Sequence, residues 1–249
     1  MDLRFLKRFT DGIIPPVCPE ILEVDPLLTN ISWLPLHIPK IEPDNWDLFW
    51  ELWNREKSPM GKEDNPYIIW DTVGIWSSPD TGNSAVHEDF PYKMEDWSSY
   101  FPIMFERIRT AMPFLRINNI RISSNIKRVN PHLDPTPTMY PWPNSLRVML
   151  WDSNPIPTFY MLPWPESSFL QKPIPKIDVI PNQTYILGDV SQQEKIYVDL
   201  PVDTNTFIFS NGEFLHGADL ASPKIILIVH GVPDAEKWKS KLYGMVNIK

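Results

Sequence analysis

The sequence predicts a mainly β fold, a barrel or sandwich of short strands with its helices gathered toward the N-terminus. Three observations predict it. Proline is abundant, 28 in 249 residues, and proline breaks helix interiors and is confined to the margins and turns of sheets. From Asn118 onward the chain breaks into short β-branched and aromatic segments separated by turn residues. Both convincing helical periodicities lie before Pro113, the order expected when helices pack outside one β-core.

The elements follow in order. The first forty residues are punctuated by Pro15, Pro16, Pro19, Pro26, Pro35 and Pro39 and read as an extended arm that wraps the body. Asn45 to Lys57 reads as a helix, with Asp44 as its N-cap and Trp46, Phe49, Trp50 and Trp53 at helical spacing. Tyr67 to Trp76 is apolar and β-branched, a buried strand, and residues 77–92 are a polar loop. Asp96 to Met112 reads as a second helix, with Pro102 near its first turns. The β-type segments are Ile120–Val129, Ser145–Trp151, Pro157–Leu162, Gln183–Leu187, Glu194–Val198, Thr206–Ser210 and Lys224–His230. Gly231 to Ser240 reads as a turn and a short helix. The expectation is one domain over residues 1–249, with an arm and helical support (1–113), a β-core (114–232) and a C-terminal tail (233–249).

Hydrophobic residues make up 43% of the chain and charged residues 22%, the proportions of a globular protein with a buried core. The net charge of -8 gives no bulk attraction to nucleic acid. The most basic stretch carries Arg107, Arg109, Arg116, Arg121, Lys127 and Arg128. A single cysteine, Cys18, excludes an intrachain disulfide framework and a cysteine-based zinc cluster, and fits a reducing cytosol. Met1 to Asp11 has no apolar core of a signal peptide, and no run of about 18 apolar residues marks a membrane span. A cytoplasmic protein is expected.

Two of the five histidines stand in informative places. In Asn130-Pro131-His132-Leu133-Asp134-Pro135, residues two apart on extended backbone share a side. His132 and Asp134 can therefore offer a nitrogen and a carboxylate oxygen to one point, and Pro131 and Pro135 stiffen the segment. Alone, the pair also suits a turn in which Asp134 caps backbone N–H groups. His216 lies about 80 residues downstream, after an apolar strand and before Gly217, at a strand end. Lys224 then opens the strand Lys224-Ile225-Ile226-Leu227-Ile228-Val229-His230. Two imidazoles and one carboxylate on one face of a metal leave three positions open, the donor set of non-haem Fe(II) oxygenases.

The segments His132–Leu150 and Phe207–Val232 resemble the Fe(II)- and 2-oxoglutarate-dependent dioxygenases, most nearly the aspartyl/asparaginyl β-hydroxylase type. The resemblance rests on His132, on the strand Ser145-Leu146-Arg147-Val148-Met149-Leu150, and on His216 followed by Lys224 at the head of an apolar strand. It covers about half the chain. It implies a double-stranded β-helix (jelly-roll, cupin-like) core with flanking N-terminal helices. It also implies C–H hydroxylation and Fe(II) held by His132, Asp134 and His216, which are both metal ligands and catalytic residues. The co-substrate is 2-oxoglutarate, with Lys224 and Arg147 on its distal carboxylate. O₂ and a primary substrate, an amino-acid side chain in a peptide or a free amino-acid-like molecule, complete the partners. The chain departs from that type in having Asp134, a longer proline-rich loop before Arg147, and lysine where arginine is commoner.

His230 competes with His216 as the distal ligand, but no basic residue opens a strand after it, so His216 is favoured. Lys224 could instead reach solvent from the strand end, and Arg147 could pair with Asp152. Tyr140, Trp142 and Trp151 are read as lying on or beside the site, with packing as their commoner role. Asn211, Ser123 and Ser124 are weaker candidates. His87 sits in a polar loop and His37 in the arm. The rival functions are a non-catalytic metal- or ligand-binding barrel of cupin type, and an interaction protein assembled through its proline-rich arm.

Overall fold

A computed structural model describes residues 33–60, 70–79, 94–125, 129–133, 145–153, 157–165, 176–180, 183–186, 195–209, 214–219 and 223–243. The fold is mainly β, as expected. The strands are β1 (Trp33–Pro35), β2 (Ser58–Met60), β3 (Trp70–Ser77), β4 (Phe114–Asn125), β5 (Val129–Leu133), β6 (Ser145–Asp152), β7 (Phe159–Pro165), β8 (Lys176–Ile180), β9 (Gln183–Ile186), β10 (Ile196–Tyr197), β11 (Thr206–Phe209), β12 (Phe214–Ala218) and β13 (Lys224–Pro233). The helices are α1 (Trp46–Glu56), α2 (Pro102–Ala111) and α3 (Ala235–Tyr243). The strands form a seven-stranded sheet, ordered β1-β11-β6-β13-β4-β3-β2, and a six-stranded sheet, ordered β10-β7-β12-β5-β9-β8. Every pairing between these strands is antiparallel. Among the described residues, no helix is long and apolar enough to cross a membrane.

The helix boundaries differ from the sequence reading for local reasons. α1 is capped by Asn45, whose Oδ1 accepts from the Leu48 N–H at 3.1 Å. Asp44, expected in that role, caps the other helix instead. Its two carboxylate oxygens accept from the N–H groups of Ile103 and Met104, each at 2.8 Å. α2 needs this help because its own N-cap position, Phe101, has no side-chain acceptor. α2 also starts at Pro102 rather than at Asp96. Proline at the first helical position has no N–H to leave unpaired, so it marks a beginning and not an early turn.

The strands also differ from expectation. β4 begins at Phe114, six residues earlier than read, and is described to Asn125, with β5 described from Val129. β13 runs through Gly231 to Pro233, where a turn was expected. A side chain at Gly231 would put a Cβ 2.6 Å from the Arg116 carbonyl oxygen and 2.7 Å from Phe114 Cγ. The glycine therefore lets β13 continue against β4 rather than ending it. β2, β8 and β12 were not read as strands. His216 consequently lies inside β12 and not at the end of an earlier strand. The beginning of the arm, residues 1–32, the N-terminal part of the strand read at 67–76 and nearly all of the loop 77–92 lie outside the described residues.

The seven-stranded sheet has two unlike faces. On one, Ile225, Leu227 and Val229 of β13 stand opposite Ser124, Ile122 and Ile120 of β4 and opposite Trp151, Val148 and Leu146 of β6. The helices cover this face. The Trp50 ring of α1 meets Trp151 edge-on with centroids 5.2 Å apart. Phe49 packs on Trp97 and Phe101, joining the two N-terminal helical segments. Trp238 of α3 is fully buried in the same core. Removing side chains of this size from water is worth about 1.5–3 kcal/mol each, so the main apolar core lies between helices and sheet. On the other face, Lys224, Ile226, Ile228 and His230 stand opposite Asn125, Ser123, Arg121 and Asn119 of β4, and opposite Asp152, Met149, Arg147 and Ser145 of β6. Phe207 of β11 shares the Arg147 row, and its ring lies 6.2 Å from Phe159 of β7. The second face therefore looks toward the six-stranded sheet.

Candidate functional site

In the six-stranded sheet, β12 pairs with β5 so that His216 and His132 are direct cross-strand partners. Directly opposed residues of an antiparallel pair share a face, with Cβ atoms about 4.5–5.5 Å apart. His216 is also the partner of Met161 on β7, and Ala218 of Phe159, which assigns these positions to one side. The His216 side chain is buried, 3% exposed, and its ring centre lies 6.1 Å from that of Phe159. Because Phe159 also touches Phe207, His216 faces the inter-sheet space that Arg147 faces from the other sheet. The side chain of His132 and the whole of Asp134 lie outside the described residues. Among the described residues, no three His, Cys, Asp or Glu side chains form a metal-holding group.

The opposite wall is unusually polar for the interior of a sandwich, whose inner faces interdigitate as core. Arg147 is 8% exposed, and its Nη1 donates to Ser145 Oγ at 2.9 Å. Arg121, on the other flank of Ile228, was read from the sequence only as part of the most basic stretch. The alternation Asn119-Ile120-Arg121-Ile122-Ser123 marks a two-faced strand, but only the pairing says which face is which. His230 lies in the next row, between Asn119 and Ser145. Its ring keeps some accessible surface, yet protein surrounds it on most sides. This burial, reinforced by the charges of Arg121 and Arg147, pushes the imidazole well below its usual range. A neutral imidazole at this place offers one donor and one acceptor.

Lys224 does not reach solvent. It is 1% exposed, and its Nζ donates to Asp152 Oδ2 at 2.5 Å. A buried cation demands an anion; the sequence reading gave that role to a ligand and named Asp152 only as an alternative partner for Arg147. Lys224 reaches a ligand only by giving up Asp152. The cause is a bulge in β6. Ile226 pairs with Met149 but Ile225 with Trp151, so Leu150 is the extra residue. A bulge reverses the alternation beyond it. It turns Asp152 inward to Lys224 and turns Trp151 outward to Trp50, away from the site where simple alternation put it.

The remaining expected residues separate cleanly. Ser123 faces the inter-sheet side, with its hydroxyl 3.0 Å from Thr72 Oγ1, whereas Ser124 is on the helix side. His37 is exposed. Tyr140, Trp142, Asn211 and His87 lie outside the described residues. Asp219, the acid that follows His216, is tied down elsewhere. It accepts from Lys195 Nζ and from Tyr197 Oη, both at 2.6 Å. Burial of the phenol, together with that carboxylate, pushes Tyr197 up to about 12.

The site thus consists of two histidine positions on one sheet and a cationic, polar row on the other. Such a space can bind a small anion beside an ion held by imidazoles. Compared with known proteins, the chain matches no family model and no curated sequence.

Proposed function

We propose that the chain is an Fe(II)- and 2-oxoglutarate-dependent dioxygenase on a double-stranded β-helix core. The observation that carries this reading is the register that makes His132 and His216 cross-strand partners on the side of β12 that faces the other sheet. Strand order supports the fold. Taking β4, β5, β6, β7, β10, β11, β12 and β13 as strands one to eight, the two sheets run six-three-eight-one and five-four-seven-two. That alternation between sheets is the winding of a jelly roll. β1, β2, β3, β8 and β9 then extend its edges.

Two imidazoles and one carboxylate suit Fe(II), leaving open positions for a chelating acid and O₂. His132, Asp134 and His216 would hold the metal. When bound, iron and 2-oxoglutarate supply the oxidation: the acid is decarboxylated to succinate, and oxygen from O₂ is inserted into a C–H bond of the substrate. The chain's own residues bind, orient and exclude water. Arg147 offers a planar fork to the distal carboxylate of the acid, and its bond to Ser145 fixes the fork's direction. Phe159 and Phe207 shield the buried face of His216 from water. His230 lies on the other sheet from His132 and His216 and in this reading is a lining group. The primary substrate is an amino-acid side chain in a peptide or a free amino-acid-like molecule.

Anaerobic titration with Fe(II) and 2-oxoglutarate tests the reading. The expected result is a weak visible charge-transfer band that requires both additions and is abolished by His132→Ala and by His216→Ala. A chain that retains iron but takes no 2-oxoglutarate is the non-catalytic barrel instead, and one that retains neither is no oxygenase.

A further inference from the structure

Arg121 and Arg147 stand on the two strands that flank β13, each opposite Ile228. Neighbouring strands are about 4.8 Å apart, so their backbones are separated by roughly 10 Å. Two long guanidinium side chains rising from that spacing on one face have the length to reach a common point over the isoleucine between them. Arg147 is nearly buried, and one of its N–H donors goes to Ser145, which holds the fork in place. In the adjoining row, Asn119 is 7% exposed, and its Oδ1 has no hydrogen-bond partner among the described residues. That oxygen calls for a donor, so Asn119 would meet a bound acid through its amide N–H group and not through Oδ1. His230 completes that row, and the charges of Arg121 and Arg147 both act on its imidazole, so both lie near it. At the far end of the same face, the charge of Lys224 is already matched by Asp152. The face thus carries the Lys224–Asp152 ion pair at one end and two arginines in its middle.

We propose that Arg121 joins Arg147 in a two-guanidinium site that binds a carboxylate, with Asn119 and His230 as its neutral polar border. Naming the acid rests on the oxygenase reading; the carboxylate site does not. The carboxylate has two possible sources, the distal end of 2-oxoglutarate or an acidic primary substrate. A carboxylate accepts two parallel N–H bonds from each fork it meets, and such bonds are stronger than neutral ones. Arg121 is a binding and positioning residue, not a participant in bond breaking.

Calorimetry on the full chain tests this, with 2-oxoglutarate, succinate and 2-oxobutyrate as probes. The last is a 2-oxo acid without the distal carboxylate. Arg121→Gln should weaken the two dicarboxylate probes, 2-oxoglutarate and succinate, by roughly tenfold to a hundredfold, the effect of losing charge-assisted bonds. Arg116→Gln removes an exposed guanidinium from the same strand and controls for net charge; its affinity should stay at the wild-type value. Arg121→Lys keeps the charge without the fork and should show an intermediate loss, which covers the case in which the glutamine variant fails to fold. If 2-oxoglutarate loses its advantage over 2-oxobutyrate in the variants, the site holds the co-substrate. If that advantage persists while succinate binding falls, the site holds the substrate's acid.

Unchanged affinity for all probes in Arg121→Lys and Arg121→Gln overturns the proposal, as does a wild-type chain that binds none of them. The iron titration separates the two claims. A normal charge-transfer band with unchanged affinities in the Arg121 variants removes this site and leaves the oxygenase. Arg121-dependent binding in a chain that gives no band does the reverse.

Discussion

Leu150 does more for the inter-sheet site than its plain apolar side chain suggests. As the extra residue of the β6 bulge, it sends Asp152 inward and Trp151 outward. The resulting ion pair is lopsided, because Lys224 is 1% exposed and Asp152 is 20% exposed. Removing either partner strands the other charge, and the cost grows with how deeply that charge is buried. Asp152→Asn should therefore destabilise the fold more than Lys224→Met, by roughly 3–5 kcal/mol for the former. Urea unfolding of the two variants checks the order, and equal losses would show that the lysine escapes to water. At this scale spacing pointed to His132 and Asp134, and the resemblance pointed to Arg147; the structure adds that His132 and His216 are cross-strand partners and that Arg147 is nearly buried. Asp152, Trp151 and Arg121 were not legible, since each depends on a register that no short stretch of sequence contains.

Among the elements, the two N-terminal helices are linked at adjacent residues. Asn45 caps α1, while Asp44 reaches across to the first turn of α2. A carboxylate at a helix start satisfies unpaired N–H groups and meets the positive end of the dipole. Asp44→Ala should cost about 1 kcal/mol, up to about 2, through loss of α2 rather than α1. Hydrogen exchange at Ile103 and Met104 tells the two apart, because protection should fall there and hold at Leu48. The apolar spacing of Trp46, Phe49 and Trp53 announced α1 correctly, and Pro102 announced the start of α2 once proline is read as a first residue. β12 stayed hidden because it holds no β-branched residue and includes Gly217, and β2 because a three-residue strand has no period to detect.

At the scale of the whole molecule, mainly β architecture was readable from the number and spacing of strands, but their partition into two sheets was not. It depends on pairings such as His216 with His132, which join residues far apart in the chain. The same partition places a neutral imidazole, His230, against two guanidiniums, Arg121 of β4 and Arg147 of β6. The unfolded chain accepts a proton at that histidine below about pH 6.5, whereas the native chain does so only at lower pH. Stability should therefore be intact at neutral pH and decline as pH falls through the unfolded value, by up to about 1.4 kcal/mol per unit for this group. Urea unfolding at neutral and mildly acidic pH should show a larger decline in the wild type than in His230→Gln. Equal declines would remove His230 as the cause.

Both margins of the seven-stranded sheet end in three-residue strands, Trp33-Leu34-Pro35 and Ser58-Pro59-Met60. Each contains a residue with no amide hydrogen to give. A foreign strand arriving at either border finds too few donors to zip onto, so the abundance of proline in this chain acts at the rims as a guard against fibril growth.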